Sequence, residues 1–133
     1  MKATARFKVT EWNPVASDKP TAGPVLSRIE ITKAFADGDL IGVSKGEGLF
    51  CGMTDPKLGA GYLVSERFEG VLGELKGSFV MHHGGMMGPE TQPYTFGDIV
   101  PGSGTEELIG ISGSIQIAKT EDGSHKLELE YTL

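Results

Sequence analysis

The sequence predicts an all-β protein, a small antiparallel barrel formed as one domain over residues 1–133. Three observations predict it. Apolar and polar residues alternate with period two in segment after segment, as half-buried strands require. Twenty glycines are dispersed between those segments as turn punctuation rather than gathered in a repeat. No segment carries a sustained 3.6-residue pattern. Strands arriving about every ten to fifteen residues suit a sandwich or a barrel, and closure into a barrel removes exposed edges.

The elements follow in order. Ala3, Ala5, Phe7 and Val9 alternate with Lys2, Thr4, Arg6, Lys8 and Thr10, which reads as a strand. Asn13 to Pro24 reads as a loop because prolines stand at 14, 20 and 24. Val25 to Phe35 resumes alternation, with Val25, Ile29, Ile31 and Phe35 on one face together with Ser27 and Lys33. Ala36-Asp37-Gly38-Asp39 is a hairpin signal. Leu40–Ser44 and Leu49–Met53 read as strands broken by Gly46 and Gly48, with a turn at Thr54-Asp55-Pro56. Gly61–Val71 sets Tyr62, Val64, Glu66 and Phe68 against Leu63, Ser65 and Arg67. Ser78–His83 follows, with Leu75, Phe79, Met81 and His83 sharing a face, and Gly84–Pro93 reads as a flexible loop. Tyr94, Phe96, Asp98 and Val100 share a face of the next strand. After a glycine-rich turn, Glu106–Ile109 is long enough for one helical turn only. Ser114–Ala118 and Lys126–Leu133 form a last hairpin, its second strand placing Leu127, Leu129, Tyr131 and Leu133 on one side.

Composition narrows the function classes. Twelve basic against eighteen acidic residues give a net charge of −6. With no basic run, that balance argues against a nucleic-acid partner. No run of about eighteen apolar residues predicts a membrane helix, and Met1–Val9 lacks the apolar block of a signal peptide. The single cysteine, Cys51, rules out an intrachain disulfide, so the cytoplasm is the expected location.

Val100-Pro101-Gly102-Ser103-Gly104-Thr105, then Glu107-Leu108 and Gly110, resembles the signature of the DUF3224 family of bacterial proteins. Leu26-Ser27-Arg28, Glu66-Arg67-Phe68, Gly77-Ser78-Phe79-Val80 and His83 fit the same family, so the resemblance covers nearly the whole chain. It implies a fold similar to the allene oxide cyclase-like barrel, antiparallel with about eight strands. It implies no activity, since one fold hosts many functions.

Glu66 and His83 are the candidate catalytic pair. Each shares parity with apolar neighbours, Val64 and Phe68 for one and Phe79 and Met81 for the other. A carboxylate and an imidazole meeting in an apolar cavity suit proton transfer. A structural hydrogen bond, or a His83 in solvent at the rim, would produce the same pattern. Tyr62, Phe79, Met81, Phe96 and Asp98 are the candidate ligand-binding residues. Met81, Met86 and Met87 could together make an adaptable apolar mouth. His82 and His83 point to opposite faces of a strand and cannot chelate together, His125 is expected in solvent, and no metal or cofactor is expected. Cys51 reads as a small core residue. The Gly102-Ser103-Gly104 turn fails as a phosphate loop, because Glu107 stands where a third glycine would be. The expected function is binding of a small, largely apolar ligand, with an isomerase or cyclase using Glu66 and His83 as the alternative. A third reading is a filled barrel acting through homo-oligomer contacts.

Overall fold

The computed structural model describes residues 1–52, 56–90 and 92–133. Eight strands form a closed antiparallel barrel, each paired with its neighbours in the chain. They are β1 (Lys2–Ser17), β2 (Leu26–Gly38), β3 (Leu40–Cys51), β4 (Ala60–Leu72), β5 (Leu75–Met87), β6 (Tyr94–Ile99), β7 (Ser112–Lys119) and β8 (His125–Thr132). The period-two pattern does the folding: alternate residues of the strands enter the interior, in β1 as far as Phe7, and β8 closes the ring by pairing Leu127 with Ala5 and Leu129 with Ala3.

Several strands run further than their prolines and glycines suggest. β1 continues through Pro14 to Ser17, where a loop is expected. Beyond Phe7, among the described residues, β1 pairs with β2 alone, so it carries an open edge, where a residue lacking an N–H is tolerated. β3 is continuous across Gly46 and Gly48, and β5 runs on through Gly84 and Gly85 to Met87. Met53 and the expected turn at Thr54-Asp55 lie outside the described residues. Val25 lies before β2 and is exposed, not part of its inner face.

The interior is layered along the barrel axis. One apolar cluster fills the end bounded by the β2–β3 and β4–β5 hairpins, and includes Phe7, Phe35, Leu40, Phe68, Phe79 and Met81. A smaller cluster, Ile29, Ile31, Phe50 and Val64, occupies the other end. Between them lie the buried polar side chains Lys33, Ser44, Glu66 and His83. The two ends are closed differently. At the larger cluster, the segment between β6 and β7 folds across the barrel. Ser103 Oγ accepts from Val80 N at 3.0 Å, and Thr105 N donates to Ser78 O at 2.9 Å. This lets Leu108 and Ile111 enter the cluster fully buried. At the other end, among the described residues, the β6–β7 ladder is the single pair Asp98–Ser114 and β8 pairs with β1 no further than Phe7, so the wall there is carried mainly by β1–β6.

The glycine-rich turn is a backbone requirement. Gly102 has φ +81°, and a β-carbon at Gly104 would overlap the Leu108 carbonyl oxygen. Gly102→Ala is expected to cost about 1 kcal/mol or more, since a side chain is strained in the left-handed region. Gly104→Ala should cost more, because backbone must move. Urea unfolding of both variants checks this, and unchanged midpoints would overturn it.

Candidate functional site

Four neighbouring strands each contribute one side chain to the polar layer. Glu66 lies on β4 between the inward Val64 and Phe68, directly opposite Gly46 of β3. A β-carbon at Gly46 would overlap the Ser65 carbonyl oxygen and come within 2.6 Å of Glu66 Cβ, so glycine at this position lets β3 lie this close to Glu66. Lys33 enters from β2 between Ile31 and Phe35, and Ser44 stands opposite it on β3. His83 enters from β5, opposite Val64 and therefore diagonal to Glu66.

The carboxylate is the hub. Lys33 Nζ donates to Glu66 Oε2 at 2.7 Å, and Ser44 Oγ donates to Oε1 at 2.6 Å. His83 Nε2 lies 2.5 Å from Oε2. All four side chains are nearly sealed from solvent, with exposures of 6% for Lys33, 1% for Ser44, 3% for Glu66 and 6% for His83. Lys33 Nζ also sits 4.8 Å from the centre of the Phe7 ring, a cation–π position. Burial alone would push the Glu66 carboxyl up, but the His83 hydrogen bond and the Lys33 and His83 charges outweigh it and hold it at about 2. Glu66 is thus an anion at neutral pH, and an ionised carboxylate only accepts. The proton in its contact with His83 therefore belongs to Nε2. His83 Nδ1 is left buried and without a hydrogen-bond partner, the sole such side-chain nitrogen or oxygen among the described residues.

An aromatic run leads from this layer to the less closed end. Tyr62 stands edge-on to the His83 ring at 6.2 Å, Phe50 stacks on Tyr62 at 5.8 Å, and Trp12 lies 5.0 Å from Phe50. Trp12 is opposite the inward Ile31 yet 51% exposed, so it marks the barrel's mouth.

The structure brings Glu66 and His83 into direct contact. Tyr62 lies one inward position above the level of His83 and two above Glu66, half-buried. Phe79 and Met81 face inward but are locked in the larger cluster on the far side of the layer. Phe96 and Asp98 do not face inward. Gly97, like Ile99, is an inward residue of β6, and it pairs with His83, so Phe96 and Asp98 point outward and both are exposed. Their alternation with Tyr94 is real, but it marks the outer face. The methionines do not form one mouth: Met81 is interior, while Met86 and Met87 are exposed. Cys51 is half-buried rather than core, and lines a groove of about 640 Å³ with Leu26, Leu49, Phe50, Tyr62, Leu63 and Met86. Phe96 lies in an adjoining groove of about 430 Å³ with Leu63, Val64, His82 and His83. His125 is not free in solvent; it stacks on Phe7 at 5.3 Å, and burial together with the Lys119 and Lys33 charges lowers its pKa. Lys33, Ser44, Trp12 and Phe50 belong to the site without having been singled out as candidates. Only Lys33 had a visible signal, its shared parity with Ile29, Ile31 and Phe35.

The sequence profile of the family described as "Protein of unknown function (DUF3224)" matches residues 3–131. Solved structures similar to the chain include a protein of unknown function from the DUF3224 family of Shewanella oneidensis MR-1. It is 35% identical with a TM-score of 0.87, and the alignment covers 100% of this chain and 96% of that one. No curated protein matches the chain.

The depressed Glu66 pKa fixes a pH dependence. The folded carboxyl titrates at about 2 against an ordinary 4.5, so between those values the unfolded chain binds the extra proton. The contribution is complete above about pH 5 and is lost as pH falls toward 2, roughly 3 kcal/mol in all. Glu66→Gln should flatten this part of the acid limb. At pH 7 it should also destabilise the barrel by about 3–5 kcal/mol, since Lys33 is then a buried cation without its partner. Urea unfolding from pH 2 to 7 checks both; parallel stability curves for variant and wild type would contradict the assignment.

Proposed function

The chain belongs to the DUF3224 family, and from that premise we propose that it is a binding module for a small, largely apolar ligand held at the less closed end of the barrel. The observation that carries this reading is the run Trp12–Phe50–Tyr62, which leads from solvent to a buried polar layer. Binding sites of this type pair an apolar, aromatic lining with a few fixed polar groups. Trp12, Phe50 and Tyr62 would take the body of the ligand, while Glu66 and His83 would serve as polar anchors. Proton transfer by Glu66 itself is disfavoured, because a carboxyl held at about 2 is a weak base. In the isomerase alternative the base would be His83, with Glu66 as the residue that positions it.

One observation favours a second reading, contact between copies of the chain. Leu26, Leu49, Leu63, Met86, Tyr94 and Phe96 are each 41–57% exposed and lie together on the outer face of β2–β6. A contiguous apolar patch of this kind is uncommon on a monomer without a role. Sedimentation velocity of wild type and Leu63→Lys tests it: a dimer that the variant converts to monomer supports self-association, and a monomeric wild type at tens of micromolar removes it.

Trp12 is the chain's single tryptophan and reports on the mouth directly. Titration with 1-octanol is expected to shift its emission saturably to shorter wavelength. At a hundred times the dissociation constant the ligand should stabilise the fold by roughly 2.7 kcal/mol. Phe50→Ala should weaken binding several-fold. If neither emission nor melting temperature responds, the ligand reading is wrong.

A further inference from the structure

We infer that His83 selects the ligand: its Nδ1 accepts a hydrogen bond from the bound molecule, so the class recognised is neutral molecules with an apolar body and a hydroxyl or N–H head. This rests on the binding reading above and adds the chemistry of the head group.

The argument is one of hydrogen-bonding capacity. Both Glu66 oxygens already accept, Oε1 from Ser44 and Oε2 from Lys33 and His83. Ser44 and Lys33 are turned to that carboxylate. What remains unpartnered in the layer is His83 Nδ1, in a side chain only 6% exposed. Because Glu66 is ionised, Nε2 holds a proton toward it, and with no second proton on the ring Nδ1 presents a lone pair. Lys33 already neutralises Glu66, so a neutral His83 leaves the layer without net charge. An unpartnered buried acceptor is costly, and a ligand donor would relieve that cost on binding.

The surroundings restrict the head further. A carboxylate would bring a second anion beside Glu66 inside an apolar interior. An ether or ketone would set acceptor against acceptor. Tyr62 stands edge-on to the imidazole on the mouth side, and Gly97 lies beside His83 with no side chain of its own. A ligand that moves the half-buried Tyr62 ring reaches Nδ1 with its head, while its body lies along Phe50 and Trp12.

Two isomers separate the head group from the apolar body. 1-Octanol and 1-methoxyheptane have the same formula, and only the alcohol donates. Trp12 emission is followed at pH 8. Wild type is expected to bind the alcohol at least about tenfold more tightly, the size of one hydrogen bond. His83→Phe should bring the two within about twofold. Should that variant fold poorly, long-range ¹H–¹⁵N spectra of the wild type give the same answer. On saturation with octanol the His83 Nδ1 resonance should move upfield, and the ether should leave it in place. Equal affinities for the two isomers, or an unmoved Nδ1 with octanol bound, overturn the inference while leaving the binding reading intact. Absence of saturable binding by either isomer overturns both.

Discussion

A carboxylate inside a barrel must be satisfied from every side, and meeting that demand for Glu66 organises the middle of this molecule. Its partners come from β2, β3 and β5, so four consecutive strands are tied through one side chain. Strand register has a side-chain period of two. A slip of one residue in β2 would turn Lys33 outward, and a slip in β5 would replace His83 with His82 or Gly84. The first would take from Glu66 its buried cation, and a slip that brought Gly84 inward would take its imidazole. Gly46 meets the same demand from the backbone, since a side chain there would collide with the Ser65 carbonyl and with the Cα and Cβ of Glu66.

Such a layer is poorly explained as a source of stability alone. Desolvating an ion pair costs about as much as the pair returns, and an apolar layer of equal volume would often be as stable. A filled apolar interior was also within reach of this sequence, because Phe68 and Phe79 are completely buried one layer below. What the polar layer provides is an ionised carboxylate that holds one imidazole in a fixed tautomer with its other nitrogen unpaired. Carboxylate–imidazole pairs orient a histidine in this way wherever its second nitrogen has work to do.

How much of this was legible in the sequence depended on strand parity. Where alternation was unbroken, as in Tyr62–Phe68 and Phe79–His83, the inward face could be read directly, and the contact between Glu66 and His83 followed from two such readings. The eight-strand closure was legible from the family resemblance. Parity failed in β6, because alternation identifies two faces without saying which is inside. Phe96 and Asp98 are outward since glycine, not an aromatic residue, occupies the inward place beside His83. It failed differently at Trp12 and Phe50. The prolines after Trp12 read as loop, although the open edge of β1 tolerates them, and Gly46 and Gly48 read as a break, although they make room for Glu66 and the Phe50 ring. In both places a residue that usually ends a strand is used where the barrel wall is thin or crowded. Ser44 gave no signal, since one hydroxyl in a strand is indistinguishable from a solvated one until its partner is placed.

The family signature and the candidate site lie at opposite ends of the barrel, and that separation carries meaning. Val100–Ile111 fastens to β5 through Ser103 and Thr105 and lowers Leu108 and Ile111 into the larger cluster. Its work is closure, and a phosphate-loop reading has no place for a segment whose polar groups are already bound to neighbouring backbone. With that end sealed and β8 closing on β1 only as far as Phe7, the ladder is complete where packing is densest and incomplete where Trp12 meets solvent. The polar layer sits at the boundary between these halves. A barrel built only for stability would gain by extending β7 and β8 to close both ends. This one leaves a wall of β1–β6 around an aromatic run and the one buried side-chain nitrogen or oxygen without a partner among the described residues, as a fold would if one half supplied rigidity and the other received a guest.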